Sequence, residues 1–281
     1  MKKTAIKTLR KRERVWEIDA LRGFLMLGVL ALHLYYTADA FLIDGYYAKI
    51  DSYKLIEVTD SFGIWFYIDT AGKIQRGAFP TFAGKYMQPP WVDVFFVISG
   101  ISCIFSRDNL RSGLRLVGGA VFVSTFTKLL ALYTGDPNQF IRFGVLHCYA
   151  ACHLIYYFLL EDRSNKALLL TAVPSFIVGY FLKYHPISSE FALLYPFGIH
   201  EVNAAGRDYW PIFPMLGWFL VGVVFGRYWY SEKKSRFPNS IGKRLAKPLC
   251  FLGRKSGLIY CGHMVIYTLV FCGAGYIFDL Y

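Results

Sequence analysis

The chain alternates between long apolar runs and short charged connections over most of its length. A helix needs about 20 mostly apolar residues to cross a bilayer, and the sequence predicts about seven such helices. They cover about residues 21–41, 91–106, 114–134, 143–160, 167–183, 210–227 and 253–278. No internal repeat divides the chain, so residues 1–281 are predicted to form a single domain.

The first apolar run carries two ionisable side chains on one helix face. Arg22 and His33 are eleven residues apart, which is close to three helical turns and about 16 Å along the axis. Asp19 precedes Arg22 at the charged edge of the run. A histidine deep in a membrane helix is costly and usually faces a cavity or a partner, so these residues are candidates for a functional site.

Composition and charge indicate a membrane protein and its orientation. Hydrophobic residues make up 55% of the chain, more than soluble domains usually carry. Residues 1–20 form a basic tail, and the apolar run after it lacks a small-residue cleavage site. This pattern favours a cytoplasmic anchor over a signal peptide or an arm that binds nucleic acid or a specific lipid. With the N-terminus inside, 22 Lys and Arg fall on the inner side and eight on the outer side, as the positive-inside rule requires. We therefore expect an all-α, multi-pass protein of the inner (plasma) membrane.

Residues 44–89 are predicted to form an extracytoplasmic segment. This segment is too polar to span a membrane and is rich in aromatic residues such as Trp65 and Tyr86. Two interpretations stay open: an aromatic belt at the membrane surface, or a partly helical lid over a binding site.

Polar residues of other runs are predicted to lie at the depth of His33. Asp93 opens the second run from outside, Lys128 is near the outer end of the third, Arg142 precedes the fourth, and His147 is about one turn inside it. Polar groups from several helices at one level are typical of a site inside a bundle. Each residue also has a structural explanation: Asp93 as a helix cap, Lys128 extending to the headgroups, and His147 as a hydrogen-bonded core residue.

His263 is predicted to lie in the inner half of the membrane, separate from this level. No metal site is expected, since His147 and His153 are six residues apart and face different sides of their helix. The runs also lack the chain of buried carboxylates that carries protons in coupled transporters.

Motifs spread over most of the chain resemble a group of membrane acyltransferases. Arg22-Gly-x9-His33 and Val92–Gly100 are similar to the integral-membrane acyltransferases that modify sugars outside the cytoplasm. Phe143–His147, Phe213–Gly222 and Leu252–His263 resemble the catalytic domain of heparan-α-glucosaminide N-acetyltransferase and its bacterial relatives.

The resemblance implies transfer of an acetyl or other acyl group from cytosolic acetyl-CoA (acyl-CoA) to a hydroxyl or amine of an extracytoplasmic sugar or glycan. An extended pantetheine arm is about as long as the Arg22–His33 separation, so Arg22 would hold CoA phosphate while the thioester reaches His33. His33 would act as general base or carry the acyl group itself. The base role comes from the wider Arg-x10-His group, because the lysosomal enzyme has an asparagine at the place of His33. The candidate catalytic residues are His33, Asp93 and His147, and the candidate donor-binding residues are Arg22, Asp19, Lys128 and Arg142.

A transporter or flippase for a lipid-linked sugar or glycolipid is the alternative function. It would use the same cavity and aromatic segment but would not need CoA. The expected partners are the lipid bilayer, acyl-CoA and a glycan acceptor, without nucleic acid, and the sequence leaves homodimer formation open.

Overall fold

The computed structural model describes residues 15–42, 66–68, 74–76, 88–201, 208–237 and 241–277. Most of these residues are helical. In chain order the helices are α1 (Trp16–Leu42), α2 (Gln88–Cys103), α3 (Asn109–Thr134), α4 (Val145–Ile155), α5 (Asn165–Tyr184), α6 (Ile212–Trp229), α7 (Ile241–Leu245) and α8 (Lys247–Ile277). A π-helical turn, Tyr156–Leu160, continues α4, and 3-10 turns cover Pro137–Gln139 and Ala192–Phe197.

Short strands interrupt the helical architecture in the connections. Strand β1 (Phe66–Ile68) pairs antiparallel with β2 (Ile74–Arg76), and β3 (Ser188–Ser189) pairs parallel with β4 (His200–Glu201). The expectation of a mostly helical protein is confirmed. The prediction of an all-α protein did not include these two short strand pairs. Apart from β1, β2 and the start of α2, the aromatic segment 44–89 lies outside the described residues, so its two interpretations stay predictions.

Within the described ranges, four helices are long and apolar enough to cross a membrane. They are Trp16–Tyr35 of α1, Asn109–Tyr133 of α3, and the whole of α5 and α6, and two shorter apolar helices cover Pro90–Cys103 and Val145–Leu160. Large apolar side chains cover the outside of the bundle: Leu132 of α3 is 69% exposed and Ile177 of α5 is 64% exposed. Such a surface suits contact with lipid rather than water, so the chain is a membrane protein.

The helices extend beyond the apolar runs at their charged ends. Helix α3 begins at Asn109, five residues before the run at 114–134, because the Asp108 side chain accepts a hydrogen bond from the Arg111 N–H at 2.8 Å and caps the helix. Helix α8 likewise begins at Lys247. Hydropathy locates the apolar centre of a membrane helix, whereas its caps and charged first turns lie in the polar headgroup region.

Helices α1 and α8 run parallel and pack closely through small residues. Gly23 faces the backbone of Leu249 and Gly253, and Gly253 faces the backbone of Asp19. Ten residues further along both helices, His33 meets His263. Glycines at the contact let the two backbones approach, as is common between membrane helices.

We expect the Gly253→Ala variant to be less stable by about 1–3 kcal/mol, because its methyl group would collide with the α1 backbone. Gly262→Ala is the matched control on the same helix, where an added methyl group meets nothing within 4 Å. Thermal unfolding of the purified protein in detergent measures both. Equal melting temperatures for the two variants would contradict the close α1–α8 contact.

A second close contact joins α2 to α6. Gly100 faces the backbone of Phe219, and Gly222 faces the backbone of Val97. Around this contact lies the main core, whose fully buried members include Phe96, Phe219, Leu220 and Val223. The α2 and α6 motifs that carry the family resemblance therefore form the central helix pair of the bundle.

Arginine side chains connect the helix ends at one end of the bundle. Arg22 of α1 donates to the Ser102 hydroxyl of α2 at 2.6 Å. Arg227 of α6 donates to the carbonyl oxygens of Glu161 and Arg163, both at 2.6 Å, in the connection between α4 and α5. We call this end, which carries Arg22, Arg163 and Arg227, the basic end.

Candidate functional site

A cavity of about 740 Å³ opens among α1, α2, α3, α4 and α8. Its lining at the basic end includes Arg22, Arg115 and Arg254, and its lining at the far end includes His33, Asp208 and Trp210. This volume lies within the usual range for small-molecule sites. The cavity therefore connects the cationic end of the bundle with the imidazole that the sequence singled out.

Arg22 is fixed on the cavity wall by three elements. Its guanidinium donates to the Ser102 hydroxyl at 2.6 Å, to the Asp19 carboxylate at 3.4 Å and to the Gly253 carbonyl at 3.5 Å. The side chain of Arg22 is 24% exposed and that of Asp19 is 13% exposed. A guanidinium stays charged in proteins, so these contacts hold a permanent cation where the cavity meets the basic end.

His33 and His263 form a close pair. His33 Nδ1 lies 2.5 Å from His263 Nε2, and the two rings stack with centroids 4.8 Å apart. The expectation that His263 is a separate inner residue is wrong. Gly23 and Gly253 are in contact where the parallel helices α1 and α8 pack together. His33 and His263 each lie ten residues after one of these glycines, so they reach the same height along the two helices.

The hydrogen bonds around the pair determine its tautomers. His263 Nδ1 lies 2.6 Å from the Tyr260 carbonyl oxygen. A carbonyl oxygen only accepts, so Nδ1 carries the proton and Nε2 of neutral His263 is an acceptor. Nδ1 of His33 must then donate to it. Nε2 of His33 is therefore the unprotonated nitrogen of the pair, which is the form that a general base requires.

Asp208 and Tyr260 complete the far end of the cavity. The rings of Tyr260 and His33 make a T-shaped contact, with centroids 6.0 Å apart. Asp208 precedes α6, and its carboxylate accepts a hydrogen bond from the Val145 N–H at 3.2 Å, which caps the start of α4. Burial raises the pKa of Asp208 to about 6, although hydrogen bonds from Val145 and Trp210 oppose the shift. Asp208 is therefore mainly ionised at neutral pH.

The wall between the two ends carries a polar cluster that the sequence did not single out. His153 Nε2 lies 3.0 Å from the Ser99 hydroxyl, and His153 Nδ1 lies 3.6 Å from the Cys103 sulfur. Tyr149 precedes His153 by one turn on α4, and its ring stacks on Phe96. Ser99, Cys103, Tyr149 and His153 all line the cavity.

Asp93, Lys128 and His147 do not line this cavity, which corrects the expectation that they face one site together with His33. Lys128 is exposed, with its ammonium 4.9 Å from the centroid of the Phe140 ring. His147 accepts from the Gly144 N–H at 3.2 Å and bonds Ser124 at 3.0 Å, so it has a structural role at the start of α4. Asp93 is half-buried on α2 and lies outside the cavity lining. Residues at one depth can face different sides of their helices, and sequence distance alone does not fix the side.

Arg142 and Asp19, the other candidate donor-binding residues, also lie outside the cavity lining. Arg142 is exposed before α4 and does not line the cavity. Asp19 does not line it either but pairs with Arg22, which does. In the part of the chain that the structure describes, no group of three or more His, Cys, Asp or Glu residues is placed to hold a metal ion.

One sequence signal would have located His263. Gly23 and His33 are ten residues apart, and so are Gly253 and His263. Two parallel helices that touch at their glycines must then bring their histidines together. No comparable pattern marks Tyr149 or His153, because an aromatic residue or a single histidine in an apolar run more often belongs to the core.

Residues 60–265 match the family described as heparan-alpha-glucosaminide N-acetyltransferase, catalytic. This match covers well over half of the 281 residues. It includes the cavity residues of α2, α3 and α4 together with His263, whereas Arg22 and His33 precede it. No curated protein and no solved structure matches the chain.

Proposed function

Because the chain belongs to the family of heparan-α-glucosaminide N-acetyltransferase catalytic domains, we propose that it transfers an acyl group from acyl-CoA to a sugar outside the cytoplasm. Family membership makes the chain a transferase. Acyl-CoA as donor and a sugar across the membrane as acceptor are proposed because one cavity extends from Arg22 at the basic end to His33, which pairs with His263.

In the proposed topology the chain crosses the inner (plasma) membrane seven times. The basic end lies on the cytoplasmic side. In addition to the four long apolar helices, α2, α4 and α8 would cross the membrane. The parallel direction of α1 and α8 supports an odd number of crossings, since antiparallel helices would require an even number. The 22-to-eight distribution of Lys and Arg supports the cytoplasmic assignment of the basic end.

Acyl-CoA, with acetyl-CoA as the simplest case, would enter from the basic end. Arg22, Arg115 and Arg254 line that end of the cavity and would pair with the phosphates of CoA, since guanidinium groups bind phosphate through charge-assisted hydrogen bonds. The Arg22–His33 distance of about 16 Å along α1 allows an extended pantetheine arm to bring the thioester to the far end.

His33 Nε2 would take the proton from the acceptor hydroxyl or amine as the acceptor attacks the thioester carbonyl carbon. The carbon–sulfur bond breaks, and the leaving thiolate of CoA takes the proton from His33. His263 would accept a hydrogen bond from the Nδ1–H of His33 throughout the reaction. This hydrogen bond would stabilise the imidazolium that forms on His33. The family name points to an amino sugar at the end of a glycan as the acceptor class.

Binding and hydrolysis of acetyl-CoA test this proposal. The purified protein is expected to bind acetyl-CoA and to release free CoA slowly when no acceptor is present, because water can reach the activated thioester. Isothermal titration and a thiol-reactive dye measure the two events. No binding at millimolar acetyl-CoA would contradict the proposal and favour a transporter.

We expect His263→Phe to lower kcat by roughly 10–100-fold, a typical effect of removing a hydrogen-bonded partner behind a reacting group, with little change in the Kd for acetyl-CoA. Phenylalanine can stack on His33 but cannot accept a hydrogen bond from its Nδ1–H group. His263→Gln, whose side-chain oxygen can accept, should recover part of the activity. Equal activities of the Phe and Gln variants would show that His263 acts only by packing.

A further inference from the structure

The middle of the cavity wall carries a hydroxyl that the proposed mechanism does not use. Tyr149 lines the cavity and lies on α4, one turn from Val145 and one turn from His153. Its ring stacks on Phe96 with centroids 4.1 Å apart and an angle of 18° between the planes. This contact restricts the ring and holds the hydroxyl in one position.

Buried hydroxyls are normally hydrogen-bonded, because removing a polar group from water without a new partner is costly. Among the described residues, the Tyr149 hydroxyl is shielded from solvent and has no hydrogen-bond partner. One turn along α4, His153 is paired with Ser99 at 3.0 Å and with Cys103 at 3.6 Å. Since Tyr149 lines the cavity, a molecule bound there can supply the acceptor that the described residues do not provide.

The position of Tyr149 indicates which part of an acyl-CoA molecule it would meet. Helix α4 begins beside Asp208 at the far end of the cavity, and His153 contacts Ser99, one turn from the Ser102 that binds Arg22. Tyr149 thus lies between the cation that would hold the phosphates and the end where transfer would occur. The pantetheine arm, with its two amide carbonyls and the thioester carbonyl, would occupy this level.

We propose that the Tyr149 hydroxyl donates a hydrogen bond to a carbonyl oxygen of the pantetheine arm and so binds the donor in the middle of the cavity. This inference rests on the proposed function, since it assigns a further binding residue to the same acyl-CoA site. The nucleotide half of CoA has no carbonyl group at this level, so Tyr149 recognises the arm and Arg22 the phosphates.

The test compares two ligands on the Tyr149→Phe variant, which loses only the hydroxyl and keeps the ring stack on Phe96. The Kd for acetyl-CoA is expected to rise about threefold to tenfold, the effect of one hydrogen bond. The Kd for 3′-phospho-ADP, which has the phosphates but no arm, should stay within about twofold of the wild-type value. Arg22→Ala should weaken both ligands. Tyr157→Phe, the same change two turns further along and away from the cavity lining, is the control and should weaken neither.

The possible outcomes separate this inference from the proposed function. Equal acetyl-CoA affinity of Tyr149→Phe and the wild type would overturn the inference and leave the proposed function standing. A similar loss for both ligands would also overturn it, because a general distortion of the cavity acts on both. If the wild type bound acetyl-CoA no more tightly than 3′-phospho-ADP, the pantetheine arm would contribute nothing to binding, and the inference would fail. If the wild type bound neither ligand, the proposed function itself would fail.

Discussion

The His33→Gln variant is expected to bind acetyl-CoA as tightly as the wild type and to transfer its acetyl group roughly 10²–10⁴-fold more slowly, the usual contribution of a positioned general base. Glutamine can still hydrogen-bond to the His263 ring, but it has no lone pair basic enough to take the acceptor's proton. Isothermal titration gives the Kd, and CoA release in the presence of glucosamine gives kcat.

His185→Gln provides the matched control for this prediction. His185 is an exposed histidine after α5, outside the cavity lining, so the same substitution should leave both Kd and kcat unchanged. An active His33→Gln enzyme would show that the imidazole has only a packing role. The proposed mechanism would then be wrong even if acetyl-CoA still bound.

The Arg22→Ala variant is expected to bind acetyl-CoA roughly tenfold to a hundredfold more weakly, the loss of about one charge-assisted hydrogen bond. Its kcat at saturating acetyl-CoA should stay close to the wild-type value, because Arg22 and His33 are at opposite ends of the cavity. Arg22→Lys should bind weakly as well. A lysine ammonium is a point charge and cannot reproduce the planar contacts with Ser102, Asp19 and Gly253.

Arg111→Ala is the control for charge alone. Arg111 lies in the first turn of α3 near the basic end, is exposed, and does not line the cavity. Its loss should leave acetyl-CoA binding unchanged. If Arg22→Lys behaved as the wild type, Arg22 would be a topological charge that any cation can replace, and the donor-binding role would be withdrawn.

The helices could be predicted because the membrane imposes a simple rule on the sequence. Every backbone polar group of a membrane-spanning segment must be satisfied within the segment, so each long apolar run had to be helical. The helix ends were less predictable. Asp108 caps α3 five residues before its apolar run begins, and such caps depend on local hydrogen bonds that hydropathy does not report.

The site could be predicted where its residues belong to one helix. Arg22 and His33 share a face of α1 by helix geometry alone, and both line the cavity. His263 was assigned to the wrong depth because its position depends on the contact between Gly23 and Gly253, which only the packed helices show. Asp93, Lys128 and His147 illustrate the opposite case. Their depths can be estimated from sequence, but the directions in which their side chains point follow from how each helix is rotated in the bundle.

The central claim is that one cavity carries an acyl group from CoA at the basic end to an acceptor at the His33 end. The most direct measurement uses sealed vesicles that contain the protein in known orientation, with glucosamine inside and radiolabelled acetyl-CoA added outside. Labelled N-acetylglucosamine is expected inside those vesicles whose basic end faces outward, and it should be absent when His33 is replaced by Gln. Labelling that occurs only when donor and acceptor are on the same side, or sugar that crosses unacetylated without acetyl-CoA, would contradict the account.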